Sequence, residues 1–420
     1  MRAIHDLIGN STAVAPPEDI IDSALETVRR HLGMSVAYLS EFVEDRIVFR
    51  AVSAPGLEAL IKPGDSHLQE NVFCRRILDG RLPELIRDTH DYPEAMNVPI
   101  MAAVPIRSHV SVPIRLADGS VFGMFCCLDM TPNYTLNLRD LEVMHLFATL
   151  SAGQVNRALG TRRRRDTLTG AIRHILDTSD YAVALQPIRS ISDLSLSGFE
   201  ALCRFAPLPY RPPNEWFAEA DEVGLGPALE IAVASRALDS LDSLPDNVFV
   251  SVNASPATVA SGLLTPLLSC HDPRRIVLEV TEHAAVTDNG QIAAAIAPFR
   301  KDGLLLAVDD AGAGYAGLQH ILQLRPDIIK LDMCLTRHID ADAARRSLAS
   351  ALVRFASETG ALLVAEGIET EAELLTLRAL GVQLGQGYLL GRPFTLGDAM
   401  VLTTQNSADP ARAIGSAAQA

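Results

Sequence analysis

The chain of 420 residues lacks any apolar run approaching the roughly 18 residues that a membrane-spanning helix needs, so no membrane span is expected. Its opening stretch, "MRAIHDLIGNSTAV", carries Asp6 and has no long apolar core, and no secretory signal is expected there. Cysteine is sparse: the six, at 74, 126, 127, 203, 270 and 334, show no CxxC pair and no metal-ligand spacing. That excludes a zinc-ribbon reading and fits reduced thiols in a cytoplasmic protein. Cys126 and Cys127 lie inside an apolar run and read as small buried hydrophobes. Positive charge is also in deficit, with 36 Lys and Arg against 51 Asp and Glu and a net charge of −15. Non-specific nucleic-acid binding depends on neutralising phosphates with basic side chains, so no nucleic-acid partner is expected. If the ligand is nevertheless a phosphate, a cation must stand between it and the acids.

Apolar residues are abundant, at 48%, which is ample for packed cores, and the length exceeds one ordinary domain. Two grammars divide the chain. In the first part, "PPEDIIDSALETVRRHLGM" places Ile21, Leu25, Val28 and Leu32 on one helical stripe, opened by Pro16-Pro17 and stopped near Gly33. "SVAYLSEFVEDRIVFRAVS" alternates as a hairpin around Glu44-Asp45, and "VSVPIRLADGSVFGMFCCLDM" is a second hairpin turning at Asp118-Gly119. A helical period follows from Leu138, and the basic run Arg162–Arg165 extends it as a solvated connector. Helices flanking strands suit an α+β unit with an antiparallel sheet.

Beyond about residue 180, short apolar runs recur: "YAVALQPI", "LSGFEALCRF", "NVFVSVNAS", "RIVLEVTE", "GLLLAVDD", "PDIIKLD", "ALLVAEGIE" and "VQLGQGYLLGRP". With room for a helix between them, they predict buried parallel strands and an α/β fold, a (β/α)8 TIM-like barrel. Each run ends in, or is followed by, a polar group: Gln186, Glu200, Asn253, Glu279 with Glu282, Asp309 with Asp310, Lys330 with Asp332, Glu366, and Gln386. In a barrel whose strands all run one way, these groups meet at one mouth. Lys330 and Asp332, two apart, are expected to share a strand face. Seven carboxylates beside one lysine would repel unless cations bind there. Oxygen donors of this kind suit Mg2+ or Mn2+ rather than zinc, and His283 and His320 are expected not to be ligands. Metal would make the adjacent Asp309 and Asp310 tolerable, and the following glycines would let the backbone approach a ligand.

These motifs carry two resemblances. "SVPIRLADGSVFGMFCCLD" and "CRRILDGRLPELIRDT" resemble a GAF domain, a small sensory module, which implies a ligand that the resemblance leaves open, a small molecule or none. "FEALCR", "SVN", "LEVTE", "DD-x-G-x-G-Y", "KLD", "EGIE" and "QGYLLGRP", in that order, resemble the EAL domain, the cyclic-di-GMP phosphodiesterase module. The resemblance implies hydrolysis of cyclic di-GMP to linear pGpG with two divalent metals, Mg2+ or Mn2+. Glu200, Asn253, Glu279 and Asp309 would hold one metal. Asp309 would bridge to a second that Asp310 and Glu366 also serve. Lys330 would act on the attacking water; between two cations its ammonium would be disfavoured and its pKa lowered. Glu282 would brace the loop after Asp310, while Gln186, Leu202, Arg204, Asp332 and Gln386 would hold substrate or water. Where the family usually has an aromatic residue and hydroxyls in that loop, this chain has Ala311, Ala316 and Gly317. The alternative is a non-catalytic or weakly active cyclic-di-GMP receptor. The expected organisation is an N-terminal segment 1–16, a GAF-like domain 17–158, a basic helical linker 159–168, an EAL domain 169–404 and a disordered tail 405–420, acting as a cytoplasmic homodimer.

Overall fold

The computed structural model describes residues 17–207, 210–280, 289–311 and 322–405, in two compact units, Met1–Arg164 and Arg165–Ala420. The expectations for segments 1–16 and 406–420 lie outside the described residues. Among the described residues no helix is long and apolar enough to cross a membrane.

The first unit is built on a six-stranded antiparallel sheet: β1 (Val36–Val43), β2 (Arg46–Ser53), β3 (Ser66–Leu68), β4 (Leu85–Ile86), β5 (Ser108–Arg115) and β6 (Val121–Asp129), in the order β3-β2-β1-β6-β5-β4. Both predicted hairpins form. Glu44 turns the first with φ +53°, and Gly119 turns the second with φ +84° while Ser120 N donates to Asp118 Oδ1 at 2.9 Å. Alternation sends Ala37, Leu39, Phe125 and Cys127 to one face and Val36, Tyr38, Met124 and Cys126 to the other. Leu25 and Val28 of the helix Pro17–His31, with Met144 and Ala148 of the helix Leu138–Thr178, cover the first face. The helix Phe73–Leu78 and the segments holding Ile86, Ala95, Val98 and Ile106 cover the second. Gly123 is needed where β6 crosses β1, because a Cβ there would lie 1.7 Å from the Ser40 carbonyl oxygen. The helix beginning at Leu138 runs unbroken to Thr178, so the basic run 162–165 is helical and exposed, as expected.

The second unit is a closed barrel of eight strands: β7 (Tyr181–Ser190), β8 (Leu196–Phe205), β9 (Phe249–Ala254), β10 (Ile276–Val280), β11 (Leu305–Ala311), β12 (Ile328–Leu331), β13 (Leu362–Ala365) and β14 (Leu384–Gly385). All eight apolar runs of the sequence become strands. One expectation is corrected: β7 runs antiparallel to both its neighbours, β8 and β14, while the other adjacent pairs are parallel. The cause is local. Only Ile191–Ser195 separates β7 from β8, too short for a crossover helix, and Asp193 closes the turn by accepting from Ser195 N. The first pair is therefore a hairpin, and Gln186 sits mid-strand rather than at a strand end.

Inside the barrel the side chains fall into layers. Ile188, Phe249, Val277, Ala307, Ile328, Val364 and Leu384, one from every strand but β8, form a closed apolar floor. β8 contributes Gly198 at this level, where a Cβ would meet the Phe249 ring at 2.5 Å, so the ring fills the space a side chain would take. Outside, the strands pack on their helices through a larger cluster that includes Leu185, Phe199, Val250, Leu278, Leu306, Ile329 and Leu363.

Candidate active site

Two residues along each strand from the floor, on the same inward face, the apolar layer gives way to polar side chains. Moving from Gly198 leads to Glu200, from Phe249 to Ser251, from Val277 to Glu279, and from Ala307 to Asp309. Ile328 leads to Lys330, Val364 to Glu366 and Leu384 to Gln386. On antiparallel β7 the step runs backwards, from Ile188 to Gln186, which pairs with Glu200. Period-two alternation across a closed barrel thus sets one polar ring directly above one dry ring.

Lys330 is the hub. Its side chain is only 1% exposed, and Nζ lies 2.7 Å from Glu366 Oε1, 2.8 Å from Glu279 Oε2, 3.4 Å from Glu200 Oε2 and 3.5 Å from Asp309 Oδ1. Amides and a hydroxyl complete the ring. Gln386 Nε2 donates to Glu200 Oε2 at 2.6 Å and to Glu366 Oε1 at 3.3 Å, and Asn253 Nδ2 donates to Glu200 Oε1 at 3.3 Å. Ser251 Oγ donates to Glu279 Oε1 at 2.6 Å. Gln186 Nε2 turns to the Gly391 carbonyl at 3.3 Å.

Such crowding sets the proton affinities. Burial pushes the Glu279 carboxyl up to about 8, helped by the charges of Glu200 and Asp309 and opposed by Lys330. Burial likewise pushes Glu366 up to about 7, again against the pull of Lys330. Burial also works against the Glu200 anion, yet Lys330 and the amides of Gln386 and Asn253 hold its carboxyl below the usual range. For Lys330, burial alone would lower the pKa, but the four acids outweigh it and hold the ammonium well above its ordinary value. The lowered pKa expected from sequence belongs to a lysine flanked by two cations; with the four acids around the amine the shift is upward.

The donor chemistry fits hard divalent cations: carboxylates on or just past four strands, the Asn253 amide, and Gln386 Oε1, which is buried and has no hydrogen-bond partner among the described residues. No three of the acids converge on a point of their own at ligand distance among the described residues; they close on the lysine instead. Of the residues expected at the site, Gln186, Glu200, Asn253, Glu279, Asp309, Lys330, Glu366 and Gln386 are brought together. Leu202 and Arg204 follow Glu200 on the same face of β8 and line an adjoining cleft of about 240 Å3 with Asn253 and Phe217. Arg204 Nη1 donates to the Cys203 carbonyl at 2.7 Å. Asp332 lies one residue past β12, and its carboxylate caps the helix Met333–Thr336 by accepting from Cys334 N at 2.7 Å. Glu282, His283, Ala316, Gly317 and His320, with the side chains of Asp310 and Ala311, lie outside the described residues. Sequence reasoning missed Ser251, although it stands two before Asn253 in "SVN" and so had to share its face.

Comparison against protein-family models matches residues 169–393 to the EAL domain and residues 14–153 to the GAF domain. The chain belongs to the EAL domain family. Its GAF domain is N-terminal to the EAL domain. Among curated proteins, the cyclic di-GMP phosphodiesterase PA2567 of Pseudomonas aeruginosa is 28% identical over 70% of this chain and 51% of its own length. The probable cyclic di-GMP phosphodiesterase PdeA of Escherichia coli is 28% identical over 57% of this chain and 34% of its own. The chain thus spans between a third and a half of these relatives. Among solved structures, the PaMucR phosphodiesterase in complex with c-di-GMP aligns with TM-score 0.51 and 26% identity, over 56% of this chain and 99% of that one. The EAL enzyme Bd1971, in a form bound to cAMP and cyclic-di-GMP, aligns over 88% of this chain and 93% of that one with TM-score 0.54; at 19% identity it shows fold alone.

Proposed function

We propose that the EAL barrel hydrolyses cyclic di-GMP to linear pGpG with two divalent cations, Mg2+ or Mn2+, under the control of the GAF domain. The observation that carries this is the ring of four acids and one buried lysine above a dry floor, in an EAL barrel whose named relatives are cyclic di-GMP phosphodiesterases. When bound, the cations supply a Lewis acid and a water of lowered pKa. The chain does the rest. Glu200, Asn253, Glu279 and Asp309 would hold one ion, and Asp309, Asp310 and Glu366 would hold the other. Lys330, at the centre of these acids, would orient the attacking water and take its proton at Nζ. Ser251 and Gln386 keep Glu279 and Glu200 aimed, each through a 2.6 Å hydrogen bond. Arg204 presents a planar fork to a phosphate beside Leu202, and the closed floor excludes water from below.

The test is to incubate the purified chain with cyclic di-GMP and Mg2+ or Mn2+, with and without excess chelator, and to separate the products. Formation of pGpG that stops in chelator and returns with either metal supports the reading. Tight binding without turnover at saturating metal would identify a receptor instead. Neither binding nor turnover would overturn both.

A further inference from the structure

Glu373 is buried, 2% exposed, and stands outside the ring on the helix Glu371–Leu380 that follows β13. That helix opens with a capping box: Glu373 N donates to Thr370 Oγ1 at 3.3 Å, and Glu373 Oε2 accepts from Thr370 N at 3.0 Å. A capping box asks no more of the carboxylate. Here Oε2 also accepts from Glu369 N at 3.0 Å, and Oε1 reaches to another segment to accept from His338 N at 2.8 Å. His338 lies past the helix Met333–Thr336, downstream of Lys330 on β12, whereas Glu369 and Thr370 lie downstream of Glu366. One carboxylate therefore ties together the chain beyond the two residues of the ring's shortest ion pair, Glu366 Oε1 to Lys330 Nζ at 2.7 Å.

The backbone between Glu366 and this clamp has little freedom. Glu366 N donates to the Leu331 carbonyl at 3.1 Å, and Ile368 N donates to the Gln386 carbonyl at 3.1 Å, with the Ile368 side chain fully buried. Gly367 has φ +65°, and a Cβ there would lie 2.7 Å from Met333 Cβ, so the two segments touch. Arg337 Nη2 adds an ion pair to Glu369 Oε1 at 2.5 Å on the outer side. Movement at Thr370 is thus passed to Glu366 rather than lost in a slack loop.

We propose that Glu373 is a positioning residue for the ring: by clamping the segments around His338 and Thr370 together, it keeps Glu366 in place beside Lys330 and so sets how well the barrel takes divalent cations. This role rests on the barrel's being the metal-dependent site proposed above. A carboxylate accepts on both oxygens, as donors converging from two sides require. An amide would turn its NH2 toward one of the two segments, set donor against donor in a buried place, and open that side of the clamp.

The experiment compares the full chain with Glu373→Gln and Thr370→Ala. The second variant removes the hydroxyl that caps the helix but keeps the carboxylate and its backbone partners, so it registers a merely structural loss. Mn2+ binding is measured by calorimetry without substrate, and pGpG formation is followed against Mn2+ and cyclic di-GMP concentration. In Glu373→Gln the Kd for Mn2+ should rise about 10-fold or more, and kcat at saturating Mn2+ should fall by a similar factor, with KM for cyclic di-GMP little changed. Thr370→Ala should lower the urea midpoint and leave the Kd for Mn2+ at the parent's value. If Glu373→Gln does not fold, Glu373→Asp takes its place: it keeps the charge, is one methylene too short to reach both segments, and should weaken Mn2+ binding in the same direction. Parent-like Mn2+ binding in the folded Glu373 variant overturns the proposal. So does a loss of Mn2+ affinity in Thr370→Ala as large as in that variant. A parent chain that binds Mn2+ but forms no pGpG overturns the hydrolytic reading alone, and the calorimetry still decides the role of Glu373; a parent that binds no Mn2+ overturns both.

Discussion

Replacing Lys330 by Met removes the one cation from a ring of four acids while nearly conserving volume. Nζ lies within 3.5 Å of every one of those carboxylates, and the side chain is 1% exposed. Taking one partner out of a buried ion pair costs about 3–5 kcal/mol, because the remaining charge is left uncompensated. Here part of that loss is absorbed by protons. Glu279 and Glu366 have folded values near 8 and 7 against an ordinary value of 4.5, so both bind more protons folded than unfolded between about pH 4.5 and 8. Stability of the metal-free chain therefore falls as pH rises through that window, and without Lys330 it falls more steeply. The expected loss in Lys330→Met is about 3–5 kcal/mol at pH 8 and smaller at pH 5.5. Divalent metal should restore more stability to the variant than to the parent, since binding to the folded form alone stabilises by mass action. The assay is a urea melt in chelator at both pH values, read from Trp216, the sole tryptophan, which is buried in the barrel unit. A variant within about 0.5 kcal/mol of the parent at pH 8, a spread typical of surface substitutions, would refute the account of Lys330 as counter-charge.

Glu200→Gln removes a carboxylate that faces Lys330, Asn253 and Gln386 at once; hydrolysis of cyclic di-GMP should drop by about 100-fold or more with the far-ultraviolet spectrum unchanged. A rate near the parent's takes Glu200 out of the site. Ser251→Ala deletes the 2.6 Å hydrogen bond to Glu279, which should raise that carboxyl further and move the acid limb of the pH–rate profile upward. An unmoved limb means Ser251 does not tune the ring. Gly198→Ala drives a Cβ to within 2.5 Å of the Phe249 ring and should cost about 1–3 kcal/mol in the same urea melt; no change would show that the floor yields freely.

Much of this molecule could be read from its sequence, for identifiable reasons. Strands buried on both faces must be apolar throughout, so all eight barrel strands stood out as apolar runs, and Asp118-Gly119 marked its hairpin through the φ that only glycine adopts readily. The direction of β7 was not legible from composition, because a central antiparallel strand is as apolar as a parallel one. The five residues Ile191–Ser195 held the signal, being too few for a crossover. Most ring residues were found because they close apolar runs. Asp332 also follows an apolar run, but its carboxylate is engaged as the cap of the helix that begins at Met333. The charge state of Lys330 was least accessible, since it depends on which oxygens reach Nζ in space.

The closed floor makes the barrel a cup rather than a tube. Phe249, seated over Gly198, and its six neighbours stop the bottom with hydrocarbon, so every ion, water and proton that exchanges with Lys330 must travel by the rim. Entry and exit then share one path, and a bulky ligand lodged there acts as a stopper for whatever lies beneath it. Under such a stopper, exchange of small species with the ring would wait on the ligand's departure.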